Sequence, residues 1–212
     1  MELREADVIN IFHWMFYNRN HTWSKATWMG VPCYQNPMDM WVMQEIINET
    51  VPNIIIETGS ALGGSALFYV STNPNVFVIS IDKETNLEKV PKFEHNRIWW
   101  KGGNSTDPDV VDDMKRSIKP SDKVMVILDS DHSMENVLAE MRVYGPIVTS
   151  GCYMVVNDTN LGGHPVESKY VPGPGPMGAV MEFMKENRDF EIDKSREKFL
   201  MTFFPNGWLK RK

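Results

Sequence analysis

Cysteine is scarce in this chain: Cys33 and Cys152 are the only two among 212 residues. Neither belongs to the spacing of a metal knuckle or a redox pair, so both are expected as reduced packing residues. Long apolar runs are also missing. None approaches 18 residues, and no membrane insertion is expected. The start, Met1-Glu2-Leu3-Arg4-Glu5, is charged and leads into no apolar stretch with a cleavage site, which predicts a cytoplasmic protein. Positive charge is in deficit as well. With 22 Lys and Arg against 28 Asp and Glu, the net charge is −6 and the pI about 5.4. The electrostatic attraction that drives nucleic-acid or anionic-membrane binding is therefore absent overall. Only the basic end, Leu209-Lys210-Arg211-Lys212, runs the other way, and it is read as a solvated tail.

What is present is an ordinary globular composition, 42% hydrophobic and 24% charged, in a chain of one domain's length. No repeat period appears. The Pro/Gly cluster Val171-Pro172-Gly173-Pro174-Gly175-Pro176 comes too late to separate one domain from another and reads as a loop. Up to Tyr17, the residues Leu3, Val8, Ile11, Phe12, Met15 and Phe16 fall on one helical face, expected to be core or subunit contact. Asn36-Pro37 then reads as an N-cap with proline at the first helical position, followed by the stripe Met40, Met43, Ile46 and Ile47.

From residue 54 short β-branched runs alternate with helical stretches. The runs Ile54–Ile56, Val76–Ile81, Val124–Leu128 and Tyr153–Val156 are continuously apolar, as parallel strands buried on both faces must be. Helices are predicted over Ser65–Ser71, Pro108–Ser117 with Asp107 as N-cap, Ser133–Tyr144 and Met177–Asn187. Two closing strands are predicted at Phe190–Ile192 and Phe199–Phe204. The pattern is that of a doubly wound α/β fold.

Each of the four apolar strands runs into a carboxylate or an Asn-Asp pair: Glu57, Asp82, Asp129 and Asn157-Asp158. In open α/β sheets the carboxyl ends of strands face the ligand crevice, so the acids are expected to converge there. The first loop, Glu57-Thr58-Gly59-Ser60-Ala61-Leu62-Gly63-Gly64-Ser65, supplies glycines where backbone must approach a ligand. It is neither G-x-G-x-x-G nor a P-loop. Glu57 would repel a pyrophosphate but suits the ammonium and sulfonium of S-adenosylmethionine. Asp82 suits the two ribose hydroxyls, and Asn104 and Ser105 are placed to meet the adenine. Asp129, Asn157 and Asp158 offer three hard oxygen ligands, a magnesium-type rather than a zinc-type set. His132 follows Asp129 by three positions, where a helix is just starting, and is the candidate base for a metal-bound hydroxyl.

The motifs Ile55-Ile56-Glu57-Thr58-Gly59, Gly63-Gly64-Ser65 and Ile127-Leu128-Asp129-Ser130-Asp131-His132-Ser133 together resemble the cephalosporin hydroxylase family, which includes rhamnosyl O-methyltransferases. So do Asp158-Thr159-Asn160, Gly163-His164-Pro165-Val166, Gly173-Pro174-Gly175-Pro176 and Arg196-Glu197-Lys198-Phe199. The resemblance runs from about Trp28 to Arg211. It implies a Rossmann-like methyltransferase fold with a mostly parallel seven-stranded sheet. It also implies S-adenosylmethionine and Mg2+ or a similar divalent cation as cofactors. By the same likeness Asp129, Asn157 and Asp158 would hold the metal, His132 would be the base, and Ser130 would join the cofactor site. Where the family has Glu-Asp, this chain has Asn157-Asp158, which puts a neutral carbonyl in place of a charged ligand.

The expected protein is thus an O-methyltransferase acting on a hydroxyl of a sugar, a glycosylated lipid or polysaccharide, or a natural product. One domain is expected, with residues 1–50 as an N-terminal helical extension and 160–178 as an acceptor-side loop. Within that loop His164 and Pro165 are candidate substrate contacts. Trp14, Trp23, Trp28 and Trp41 are read as core or homo-oligomer contact, with stacking on a sugar as the alternative for the group and Trp28 as the candidate substrate contact among them. Hydroxylation is disfavoured, because a ferrous oxygenase wants two histidines and the strand ends offer only His132. A non-catalytic binding module on the same fold is the other alternative.

Overall fold

The computed structural model describes residues 4–88, 95–169, 171 and 173–212; Leu3 and Pro172 lie outside them. After a two-stranded hairpin, β1 (Thr27–Trp28) and β2 (Val31–Pro32), the chain builds a seven-stranded sheet. Its strands are β3 (Ile54–Thr58), β4 (Phe77–Asp82), β5 (Ile98–Gly102), β6 (Val124–Leu128), β7 (Tyr153–Val156), β8 (Phe190–Ile192) and β9 (Trp208–Arg211). They lie in the order β5-β4-β3-β6-β7-β9-β8. The first five are parallel, and β9 runs antiparallel between β7 and β8.

The helices are α1 (Glu5–His13), α2 (Pro37–Thr50), α3 (Gly64–Thr72), α4 (Glu84–Leu87), α5 (Pro108–Arg116), α6 (Met134–Tyr144) and α7 (Gly175–Glu186). Their starts follow the capping residues: Asn36 accepts from Met38 N, Asp107 from Asp109 N and Ser133 from Asn136 N. Helices cover both sheet faces, which is why the central strands carry no polar alternation. One core packs Met43, Ile46, Tyr69, Met125, Tyr153 and Trp208; the other packs Val111, Met114, Val126, Met141, Val180 and Phe183.

Several expectations are corrected. The opening helix stops at His13 and continues as a π-helical turn, Trp14–Arg19, which rotates the face: Val8, Ile11 and Met15 are exposed while His13 is buried. Residues 1–50 are not purely helical, since the β1–β2 hairpin interrupts them. Phe199–Phe204 is not a strand. Its Thr202 hydroxyl and Phe203 amide donate to the buried carboxylate of Asp39 instead of joining a ladder. The basic end is not a solvated tail. Leu209, Lys210 and Arg211 form β9, Leu209 is fully buried, and the Arg211 guanidinium donates to the carbonyls of Pro146 and Val148. The segment 160–178 is not loop throughout, because α7 begins at Gly175. Trp14 and Trp41 are not core, at 54% and 61% exposed.

Candidate active site

Chain order reverses between β3 and β6, and a cavity of about 980 Å3 opens at the carboxyl ends of these strands. It has two halves. The first is built by the loops after β3, β4, β5 and β6, through Gly59, Asp82, Asn104, Ser105 and Ser130. Gly59 has φ +87°, and a Cβ there would lie 2.0 Å from the Asp129 carbonyl oxygen, so the β3 and β6 loops meet only over a glycine. Asp82 is held by the amides of Ala61 (3.0 Å) and Lys83 (2.7 Å) and by the Asn86 side chain (2.9 Å), which fixes its carboxylate at the rim.

The second half comes from elsewhere in the chain: Tyr17, Trp23 and Tyr34 from the N-terminal arm, Phe203, and the loop carrying Leu161 and Glu167–Lys169. At the junction stand Asp129, His132 and Asp158, each offering one ligand atom, all within 4.8 Å of one another. His132 Nε2 lies 3.4 Å from Asp158 Oδ2. Asp158 adopts φ +54°, a left-handed conformation that aspartate tolerates better than most residues, directly after β7.

Burial and the neighbouring Asp158 and Glu57 charges hold the Asp129 carboxyl well above its ordinary pKa, against the Gln35 amide, which donates to it and favours the anion. Burial likewise raises Asp158, while His132 pulls it down. A divalent cation would relieve both acids. The residues fit such an ion: the donors are hard oxygens, and the Oδ1 of Asn157, 1% exposed, has no hydrogen-bond partner.

Of the residues singled out from sequence, Gly59, Asp82, Asn104, Ser105, Asp129, Ser130, His132 and Asp158 line the cavity, and Asn157 is buried at the end of β7 beside Asp158. Trp23, read as core or subunit contact, also reaches its wall, whereas the other candidate site residues do not. Glu57 is fully buried behind the first loop. Its Oε2 accepts from Ser80 at 2.5 Å, Ser80 pairs with Ser60, and its Oε1 has no partner. Burial pushes the Glu57 carboxyl up to about 7. Thr58, Ser60, Gly63 and Ser65 are buried at the same level. Gly64 makes room for the Pro32 carbonyl oxygen, 2.2 Å from where a Cβ would stand, so its use is packing against the hairpin. Trp28 also packs, edge-on to Phe68 at 4.8 Å with Nε1 donating to Ser71, away from the cavity. His164 and Pro165 project into solvent from the turn closed by Asn160 and Val166.

Several participants, Tyr34 among them, escaped the sequence reading. Tyr17 marked only the end of the opening helical face, and Phe203 lay within the predicted strand Phe199–Phe204. Gln35 donates to Asp129 Oδ2 at 2.6 Å. Glu140, fully buried, accepts from Ser130 Oγ at 2.6 Å and thereby braces the β6 loop. A signal for Glu140 existed: it shares the buried α6 stripe of Val137, Met141 and Tyr144, where an acid has no place without a partner.

A sheet of this order with its ligand crevice at the β3–β6 reversal is that of the class I methyltransferase fold. CmcI, solved with magnesium and S-adenosylmethionine, shares the fold at a TM-score of 0.67 and 20% identity, covering 89% of this chain and 77% of that one. The chain belongs to the rhamnosyl O-methyltransferase/CmcI family, whose model matches residues 20–212. It is 39% identical over 219 residues to a rhamnosyl O-methyltransferase of Mycobacterium leprae, covering 100% of this chain and 94% of the relative. A rhamnosyl O-methyltransferase of Mycobacterium tuberculosis is 35% identical, with 98% and 87% covered. The family resemblance and the fold expected from sequence are thereby borne out. Among the described residues no helix is long and apolar enough to cross a membrane.

Proposed function

We propose that the chain transfers the S-adenosylmethionine methyl group to a hydroxyl of a sugar or glycosylated acceptor, with Asp129, Asn157 and Asp158 holding Mg2+ and His132 as base. The observation that carries this is the position of Asp129, His132 and Asp158, within 4.8 Å of one another at the seam of the cavity's two halves. The relatives' name, rhamnosyl O-methyltransferase, supports a sugar as the acceptor. Bound magnesium would supply a lowered acceptor-hydroxyl pKa and a fixed oxygen position.

The rest falls to the chain. Gly59, Asp82, Asn104, Ser105 and Ser130 orient the cofactor in the first half, aligning its methyl with the junction. His132 takes the acceptor proton, and Asp158, 3.4 Å from Nε2, stabilises the imidazolium that results. Glu57 lies behind the loop, so it would act on the cofactor through the field of its carboxylate and the loop it supports. Calorimetric titration with S-adenosylmethionine, with and without Mg2+, tests the reading. Cofactor binding is expected in both cases; its absence would overturn the proposal, and an acceptor turnover indifferent to chelation would remove the metal from it.

A further inference from the structure

The cavity half opposite the cofactor residues contains a built aromatic surface. Tyr17 stacks on Trp23 with ring centroids 5.5 Å apart and planes at 21°. Tyr34 meets Trp23 edge-on at 5.8 Å and 88°, and Phe203 meets Tyr17 at 5.7 Å and 70°. All four rings line the cavity. Tyr17 lines the same cavity as Asp129, His132 and Asp158, so the surface faces the space where transfer would occur. Glu167 and Lys169 line the same half and bring polar groups to it. Tyr17 sits on the π-helical turn Trp14–Arg19, a departure from α-helix of the kind frequent at functional sites. His21, which also lines the cavity, has φ +45°.

We infer that Tyr17, Trp23 and Tyr34 form the platform on which the acceptor's pyranose ring lies, with its apolar C–H face on the aromatic rings and the reacting hydroxyl directed to Asp129, His132 and Asp158. The inference rests on the methyl-transfer reading above and names the surface that selects its substrate. Sites for small ligands combine aromatic walls with a few placed polar groups. A pyranose matches this one, having one face of C–H bonds and a rim of hydroxyls. The N-terminal arm is therefore the specificity element, and the sheet loops handle the cofactor.

The test uses the full chain with Mg2+ and S-adenosylhomocysteine bound, and methyl α-L-rhamnopyranoside and methyl α-D-glucopyranoside as probes. Saturation-transfer NMR with irradiation of the protein's aromatic protons is expected to show transfer into pyranose ring protons. Trp23→Leu should cut it at least about fivefold and raise KM about tenfold at little cost in kcat, in line with the scale of aromatic contacts. Tyr34 is 41% exposed, so Tyr34→Ala threatens folding least and should weaken transfer in the same direction. Transfer unchanged in both variants overturns the inference. So does absence of transfer into both glycosides from a protein that still binds cofactor and metal, an outcome that leaves the methyltransferase reading standing. Failure to bind S-adenosylmethionine overturns both.

Discussion

Gln35 and Asp129, 94 positions apart, are joined by a hydrogen bond of 2.6 Å from Nε2 to Oδ2. Gln35 opens a run of polar residues at the head of α2 that ties distant segments of the site together. Asn36 caps the helix and donates to the Met201 carbonyl at 2.7 Å, and Asp39 accepts from Thr202 Oγ1 and Phe203 N. A short stretch thus positions both a candidate metal ligand and a cavity wall. A partner that orients a ligating carboxylate typically affects metal affinity 10- to 100-fold. Gln35→Leu should therefore weaken Mn2+ binding about tenfold by calorimetry, with S-adenosylmethionine affinity changed less. Equal metal affinity in both proteins would show that the amide only occupies the oxygen.

His132→Ala should keep cofactor and metal binding yet lose about 10²- to 10⁴-fold in turnover, the usual contribution of a positioned base. His132 touches Asp158 through Nε2 and lies on a loop before α6, so its truncation leaves the core intact. Turnover at the wild-type rate would remove it from the mechanism.

Glu57 makes stability depend on pH. Its folded pKa of about 7 lies above the ordinary 4.5, so between these values the folded state keeps a proton that the unfolded chain has released. Its contribution is complete below pH 4.5 and is lost as pH rises through 7. Asp39, also at about 7, acts in the same direction. The ligand-free protein should melt lower at pH 8 than at pH 5. Glu57→Gln should flatten some of that fall, by about 3 kcal/mol at most. Parallel melting curves for variant and wild type would show that Glu57 carries no such load.

Glu140 braces Ser130, and the hydroxyls of Ser105 and Thr58 also act on its carboxyl, pulling its pKa down against burial. Glu140→Ala should loosen the β5 and β6 loops and weaken S-adenosylmethionine binding about tenfold, while Glu140→Gln recovers most of it. A calorimetric titration decides this. If both variants lose stability without any change in cofactor affinity, the brace is structural only.

Much of this protein was legible in its residues because the signals were local. Continuous β-branched runs can be satisfied only by strands covered on both faces. Acids at or past the carboxyl ends of parallel strands come out on the crevice side, as Asp82, Asp129 and Asp158 do, while Glu57, still inside β3, stays buried. Asn36-Pro37, Asp107-Pro108 and Ser133 begin helices because their side chains reach amides two or three residues on. The candidate cluster was legible for the same reason, since Asp129 and Asp158 lie just beyond the ends of β6 and β7 and His132 follows Asp129 by three positions.

Tertiary structure alone decided what depends on partners far along the chain. Phe199–Phe204 has the composition of a strand, but Asp39 draws Thr202 and Phe203 out of any ladder. The basic end looked solvated, yet it completes the sheet, because β9 pairs antiparallel with both β7 and β8 and satisfies their facing edges. Trp28 and Trp23 are only five positions apart and look alike in sequence. Packing against α3 turned one away, and stacking on Tyr17 turned the other toward the candidate reaction centre. A residue's neighbours in the chain set its local conformation, whereas the surface it faces is set by what folds back upon it.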